Sequence, residues 1–114
     1  GMSWSKTRFM RDLARHVLTK SLQLDQIAKL SDQEVTRELT RVKGIGPWTA
    51  EMFLMFTLGR EDVFSYGDLG LRKAIKKLYG FKKDPTAKQM EKIVNKWKPY
   101  RTIAARLLWK SLEL

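Results

Sequence analysis

Apolar residues recur at helical spacing along nearly the whole chain, and no stretch alternates as a half-buried strand would. Phe9, Leu13 and Val17 form one stripe with Met10, Ala14 and Leu18 beside it, which predicts a first helix starting near Ser3 or Ser5. Leu22, Leu24, Ile27, Ala28 and Leu30 predict a short second helix. Ser31-Asp32-Gln33-Glu34 then reads as a capping box, in which the serine and the glutamate each satisfy a backbone donor of the other. The third helix runs from Ser31 to about Thr40. A fourth, Pro47 to Leu58, is apolar on most sides, so it belongs in the core, and Gly59 ends it. Residues 60–67 read as a loop with an apolar centre, Val63-Phe64. Asp68 reads as the N-cap of a helix carrying Leu69, Leu71, Ala74, Ile75 and Leu78, closed by Gly80. Asp84-Pro85 reads as the N-cap and first position of the next helix, with Met90, Ile93, Val94 and Trp97. Lys98-Pro99 interrupts it. A last helix carries Tyr100, Ile103, Ala104, Leu107, Leu108 and Trp109. The expectation is an all-α chain of about seven short helices, without strands, repeats or low-complexity tracts.

Between the third and fourth helices lies Leu39-Thr40-Arg41-Val42-Lys43-Gly44-Ile45-Gly46-Pro47-Trp48-Thr49-Ala50. Gly44 and Gly46 can adopt positive φ, which permits a sharp turn, and Pro47 suits the first helical position because its missing N–H would have no partner there. The pattern is helix, tight hairpin, helix. The first N–H groups of the second helix face the turn and can hold a phosphate. The same glycines also suit an ordinary connector between two core helices. A dinucleotide fingerprint is disfavoured, because Thr49 stands where the third glycine would be and no strand leads in.

Composition narrows the chemistry. The 114 residues contain no cysteine and one histidine. Disulfides, thiolate metal sites, cysteine-held iron–sulfur clusters and cysteine nucleophiles are therefore excluded. The lone His16 argues against histidine metal sites and triads. No apolar run is long enough to span a membrane, and no export signal is read. Lys and Arg total 23 against 12 Asp and Glu, a formal net charge of +11, which favours a polyanionic partner, nucleic acid first. The basic residues are spread along the chain, so an anionic membrane is a poorer match. Asp68 is, by local pattern, a helix cap. Trp48, Tyr66, Trp97, Tyr100 and Trp109 fit either a core or a surface on which bases stack.

Three segments share one resemblance. Leu39-Thr-Arg-Val-Lys-Gly-Ile-Gly-Pro-Trp-Thr-Ala-Glu-Met resembles the helix-hairpin-helix of DNA glycosylases. Asp62-Val-Phe-Ser-Tyr-Gly-Asp68-Leu-Gly-Leu-Arg-Lys resembles the loop and helix start that carry that superfamily's catalytic aspartate. Trp97-Lys-Pro-Tyr-Arg101, with Ala104 and Trp109, resembles the closing helices of the 3-methyladenine DNA glycosylase II branch. The resemblance implies a single all-α domain over 1–114, with the hairpin at about 32–58. It implies the C-terminal part of a glycosylase domain, without the upstream helices and the wedging side chain, and slow or no excision by the 114-residue chain alone.

Residue by residue, the resemblance implies Asp68 as the catalytic carboxylate. It implies that the backbone N–H groups of Gly44, Gly46 and Thr49, with Lys43 beside them, hold duplex DNA. The carbonyls of Thr40, Val42 and Ile45 would take a potassium or sodium ion. Trp48, Met52 and Trp109 would line the base pocket, with Met52 where some members carry an aromatic. Trp48 stands where bifunctional members carry the Schiff-base lysine, so no lyase step is expected, and no other cofactor is implied. The implied partner is double-stranded DNA with alkylated bases, and the implied location is wherever the DNA lies, cytoplasm and nucleoid or nucleus. Two other readings stay open: a non-catalytic helix-hairpin-helix DNA-binding module, and a basic helical protein–protein adaptor. Salt-dependent duplex binding separates the adaptor from the other two, and base excision separates the glycosylase from the module.

Overall fold

The computed structural model describes residues 24–113, and the first helix expected from the sequence lies outside them. All regular structure among the described residues is helical. The α-helices are α1 (Leu24–Ile27), α2 (Asp32–Thr40), α3 (Pro47–Met52), α4 (Leu69–Tyr79), α5 (Ala87–Val94) and α6 (Arg101–Ser111). A π-helical turn, Phe53–Thr57, continues α3, and a 3-10 turn, Asn95–Trp97, continues α5. The chain divides into two compact units, one ending at Arg60 and one beginning at Glu61.

In the first unit, Ser31 caps α2 through the predicted box. Its hydroxyl accepts the Glu34 N–H at 3.2 Å, and Glu34 Oε1 accepts the Ser31 N–H at 3.2 Å. The Ser31 N–H, first, and the Ser31 hydroxyl hold the Glu34 carboxyl below the ordinary glutamate value. Ile27, Val35, Leu39, Ala50, Met52, Phe53, Leu54 and Met55 are buried. Arg60, just past Gly59, closes the unit. Its guanidinium donates to the carbonyls of Ala28 (3.1 Å) and Leu30 (2.8 Å) and to Asp32 Oδ1 (2.9 Å). One side chain thus serves the carbonyl end of α1 and the acidic first turn of α2.

The fourth helix departs from expectation beyond Met52. From Phe53 the turns widen, and the Leu58 N–H reaches the Phe53 carbonyl at 3.1 Å, five residues back. Met52 to Met55 are buried in succession. An unbroken apolar run carries no phase information that separates an α turn from a π turn.

In the second unit, α4 begins at Asp68 as expected and ends at Gly80, which takes the left-handed conformation (φ 69°). The start of α5 is a correction. Thr86, not Asp84, is its N-cap: Thr86 Oγ1 accepts the Gln89 N–H at 3.1 Å and Gln89 Oε1 accepts the Thr86 N–H at 2.8 Å. Two start signals compete in Asp84-Pro85-Thr86, and the one that satisfies two backbone donors prevails. Pro85 is buried ahead of the cap, and Asp84 pairs with Lys76 Nζ at 3.1 Å. Leu71, Ala74, Ile75, Met90, Ile93, Val94, Ala105 and Leu108 form this unit's core. Tyr66 and Trp97 pack against the buried Phe64 ring, at centroid distances of 5.2 Å and 6.1 Å.

Candidate functional site

The hairpin of the first unit is a turn of two short bonds. The Val42 N–H donates to the Leu39 carbonyl and the Ile45 N–H to the Val42 carbonyl, both at 3.1 Å. Gly44 supplies the positive φ (91°), whereas Gly46 is extended (φ −97°), so only one of the two glycines uses its special freedom. Gly46 is the N-cap of α3 and brings no side-chain oxygen to the first-turn N–H groups, while Pro47 has none to offer. Lys43, Gly44 and Gly46 are exposed, Thr49 is half-buried, and the Ile45 side chain anchors the turn in the core. The result is an exposed backbone loop with donors at its tip and a lysine beside them. Thr40, Val42 and Ile45 contribute neutral carbonyl oxygens to the same turn, the donor type that suits a hard monovalent cation. The Val42 carbonyl, bound once by the Ile45 N–H, keeps a second lone pair. Trp48 is half-buried and Met52 is buried, 1% exposed.

The second unit builds a buried carboxylate. Its loop is fixed before it reaches Asp68. The first N–H groups of α6 have no cap from Tyr100, so the loop supplies one: the Arg101 N–H donates to Asp62 Oδ1 at 3.3 Å and the Thr102 N–H to the Glu61 carbonyl at 2.9 Å. Arg101 Nε donates to the same Asp62 oxygen at 2.7 Å, and Nη2 to the Asp62 carbonyl at 3.2 Å. The buried Thr102 hydroxyl accepts the Val63 N–H at 2.9 Å and donates to the Val63 carbonyl at 3.3 Å. Downstream, the Asp68 N–H closes a turn on the Ser65 carbonyl at 3.2 Å. The loop is therefore bound at the first turn of α6, and Asp68 meets the same helix about 10 Å further along, at Trp109.

Asp68 is 5% exposed. Its Oδ1 accepts the Leu71 N–H at 2.9 Å, which is the expected helix cap. The same oxygen accepts the Trp109 indole N–H at 3.0 Å. Trp109, read from sequence as a pocket aromatic, thus presents its N–H edge to the acid. Gly70 lies under this pair: a Cβ there would sit 3.2 Å from Asp68 Oδ1 and 3.3 Å from the indole Cδ1 and Nε1. Sequence reasoning passed over Gly70 and the Asp62–Arg101 pair. A glycine inside a helix, about 0.5–1 kcal/mol worse than alanine there, was the available signal for the first.

The structure brings together Asp68, Gly70 and Trp109, and separately Lys43, Gly44, Gly46 and Thr49. Among the described residues no group of three or more His, Asp or Glu could hold a metal ion, and no helix is long and apolar enough to cross a membrane.

Asp62 gives a pH test of the loop clamp. The Arg101 guanidinium, first, and its backbone N–H hold the Asp62 carboxyl below the usual aspartate value. A depressed native value contributes stability above the unfolded-state value, about 3.9, and loses it as pH falls through the native value. The side chain is 34% exposed, so solvent screens part of the gain. Asp62→Asn is expected to lower stability by about 1 kcal/mol at neutral pH, with the difference from wild type vanishing in acid. Melting temperatures from pH 7 downward check this, and a difference that persists undiminished in acid would refute it.

Comparison with known proteins places these features in a family. The model of the HhH-GPD superfamily of base excision DNA repair proteins matches residues 1–99. The chain is 36% identical over 115 residues to the alkylbase DNA glycosidase-like protein mag2 of Schizosaccharomyces pombe, covering 100% of this chain and 54% of that protein. It superposes on the S. pombe 3-methyladenine DNA glycosylase Mag1 in complex with abasic DNA with a TM-score of 0.74 and 40% identity, over 79% of this chain and 44% of that one. A DNA-3-methyladenine glycosidase from Bacillus halodurans gives a TM-score of 0.73 at 40% identity, over 97% of this chain and 51% of that one. The chain thus spans about half the length of these relatives.

Proposed function

This chain belongs to the HhH-GPD superfamily of base excision DNA repair proteins, and from that premise we propose that it is, or forms part of, a monofunctional DNA glycosylase acting on alkylated purines such as 3-methyladenine in duplex DNA. The observation that carries the reading is Asp68, a buried carboxylate at the start of α4 whose Oδ1 accepts the N–H groups of Leu71 and Trp109.

The chemistry suits such a group. An alkylated purine carries positive charge and leaves readily, so no strong general acid is needed. As the C1′–N bond breaks, its electron pair goes to the base and cancels that charge, and the sugar becomes oxocarbenium-like. Asp68, as carboxylate, stabilises the sugar cation and orients the water whose oxygen bonds to C1′ and whose proton passes to bulk water. The base must first leave the stack, because the bond is out of reach inside a duplex. The electron-rich face of an indole such as that of Trp109 would favour a cationic base over a normal one.

The hairpin supplies the grip. Backbone N–H groups of Gly44, Gly46 and Thr49, with the Lys43 ammonium, would take a phosphate, a contact that positions the duplex without reading its sequence. The carbonyls of Thr40, Val42 and Ile45 would hold a potassium or sodium ion, whose charge would draw a phosphate to the same turn.

The reading fixes the reaction type. Trp48 has no amine, so water attacks the sugar directly. In a form that supplies both lobes of the cleft, incubation with methylated duplex under single-turnover conditions should release free methylated base and leave an abasic site, and borohydride should trap no protein–DNA adduct. A trapped adduct would show a lyase and overturn the monofunctional assignment.

A further inference from the structure

We infer that Gly70 is a positioning residue for Asp68, because it keeps open the space through which the Trp109 indole reaches the carboxylate. The inference rests on the reading of Asp68 given above and adds what fixes its orientation. Gly70 is the second residue of α4, and its φ is not in the left-handed range. Backbone conformation therefore does not call for glycine here, and helix propensity disfavours it. Space does call for it. Among the described glycines, Gly44, Gly46, Gly59, Gly67 and Gly80 would meet nothing within 4 Å if given a Cβ, whereas at Gly70 the Cβ would lie 3.2–3.3 Å from its neighbours.

Those neighbours are the two partners of one hydrogen bond. The crowded atoms are Asp68 Oδ1, the acceptor, and Trp109 Nε1 with its adjoining Cδ1, the donor edge. The carboxylate oxygen has little room to yield. Oδ1 is also held by the Leu71 N–H at 2.9 Å, and Asp68 is buried. A methyl group at 70 must push the indole or the carboxyl aside, which lengthens a 3.0 Å bond already at its best distance. Two donors on one oxygen also fix the rotation of the carboxyl group about its own axis. Loss of one loosens that rotation, and a preorganised group is held less tightly.

The test uses Gly70→Ala, Trp109→Phe, the double variant and Asp68→Asn, with the indole and melting measurements made on the 114-residue chain and excision measured in a form that supplies both lobes of the cleft. The Trp109 indole N–H resonance is assigned by its loss in Trp109→Phe. In Gly70→Ala it should move, and its solvent exchange should quicken roughly tenfold as the bond loosens. Alanine should fail to raise the melting temperature in the wild-type background, yet raise it in the Trp109→Phe background, where the crowding edge is gone. Single-turnover excision should fall about tenfold in Gly70→Ala with DNA affinity unchanged, the mark of a misplaced group. An unmoved indole resonance together with a higher melting temperature in Gly70→Ala would overturn the inference. Excision at the wild-type rate by Asp68→Asn would instead overturn the catalytic reading of Asp68, while the indole measurements would still decide the geometry.

Discussion

In a form that supplies both lobes of the cleft, Asp68→Asn is expected to leave the protein folded and to slow excision of a methylated purine by roughly a hundredfold or more, the scale of losing one preorganised electrostatic group. Asparagine keeps the size of the side chain and a carbonyl oxygen. That oxygen can still accept the Leu71 and Trp109 N–H groups that Asp68 Oδ1 now accepts at 2.9 Å and 3.0 Å. The substitution therefore removes charge and little else. Stability should fall by a few tenths to about 1 kcal/mol, the range of a weakened helix cap. DNA affinity should hold or rise, since a negative charge facing the backbone has gone. Single-turnover release of 3-methyladenine, with melting temperature on the same samples, separates the two roles. A stability loss with excision intact would leave Asp68 a cap and favour a non-catalytic binding module.

The second large effect concerns the hairpin. Duplex affinity should fall steeply with salt, each neutralised phosphate adding about −0.9 to the slope of log affinity against log salt. Gly46→Val should weaken binding about tenfold and lower the slope magnitude by about one, because a branched side chain would hold a phosphate away from the N–H groups. The fold should tolerate it: Gly46 has φ −97°, and a Cβ there meets nothing within 4 Å. Gly44 would be a poor site for this test, since its φ of 91° would strain any other residue. Affinity unchanged between low and high salt would contradict the nucleic-acid reading and favour the adaptor.

What the sequence disclosed follows how local each signal is. The Ser31–Glu34 box, Pro47 at the head of α3, Asp68 before α4 and Gly80 behind it are decided within four or five residues, and the structure has them where the sequence puts them. Thr86 was missed although its signal is equally local, because Asp84-Pro85 offered a rival start two residues earlier. The π turn at Phe53–Thr57 was hidden by an apolar run that is compatible with either winding. The cap of α6 was beyond any local reading, since its acceptors come from Glu61 and Asp62, about forty residues upstream. The site divides the same way. Asp68 is visible as a cap, and its likeness to a catalytic loop singled it out. That Trp109 turns its N–H edge to Asp68, across Gly70, depends on how α4 packs against α6, and helical spacing says nothing about that.

The central claim is that Asp68 acts on a positively charged sugar, and binding to a mimic of that cation tests it without requiring turnover. The measurement compares the affinity of the chain for a duplex carrying a protonated pyrrolidine in place of one sugar with its affinity for the same duplex carrying a neutral tetrahydrofuran. The account predicts tighter binding to the pyrrolidine, and loss of that preference in Asp68→Asn while tetrahydrofuran binding holds or rises. Equal affinity for the two duplexes, or a preference that survives Asp68→Asn, would contradict it.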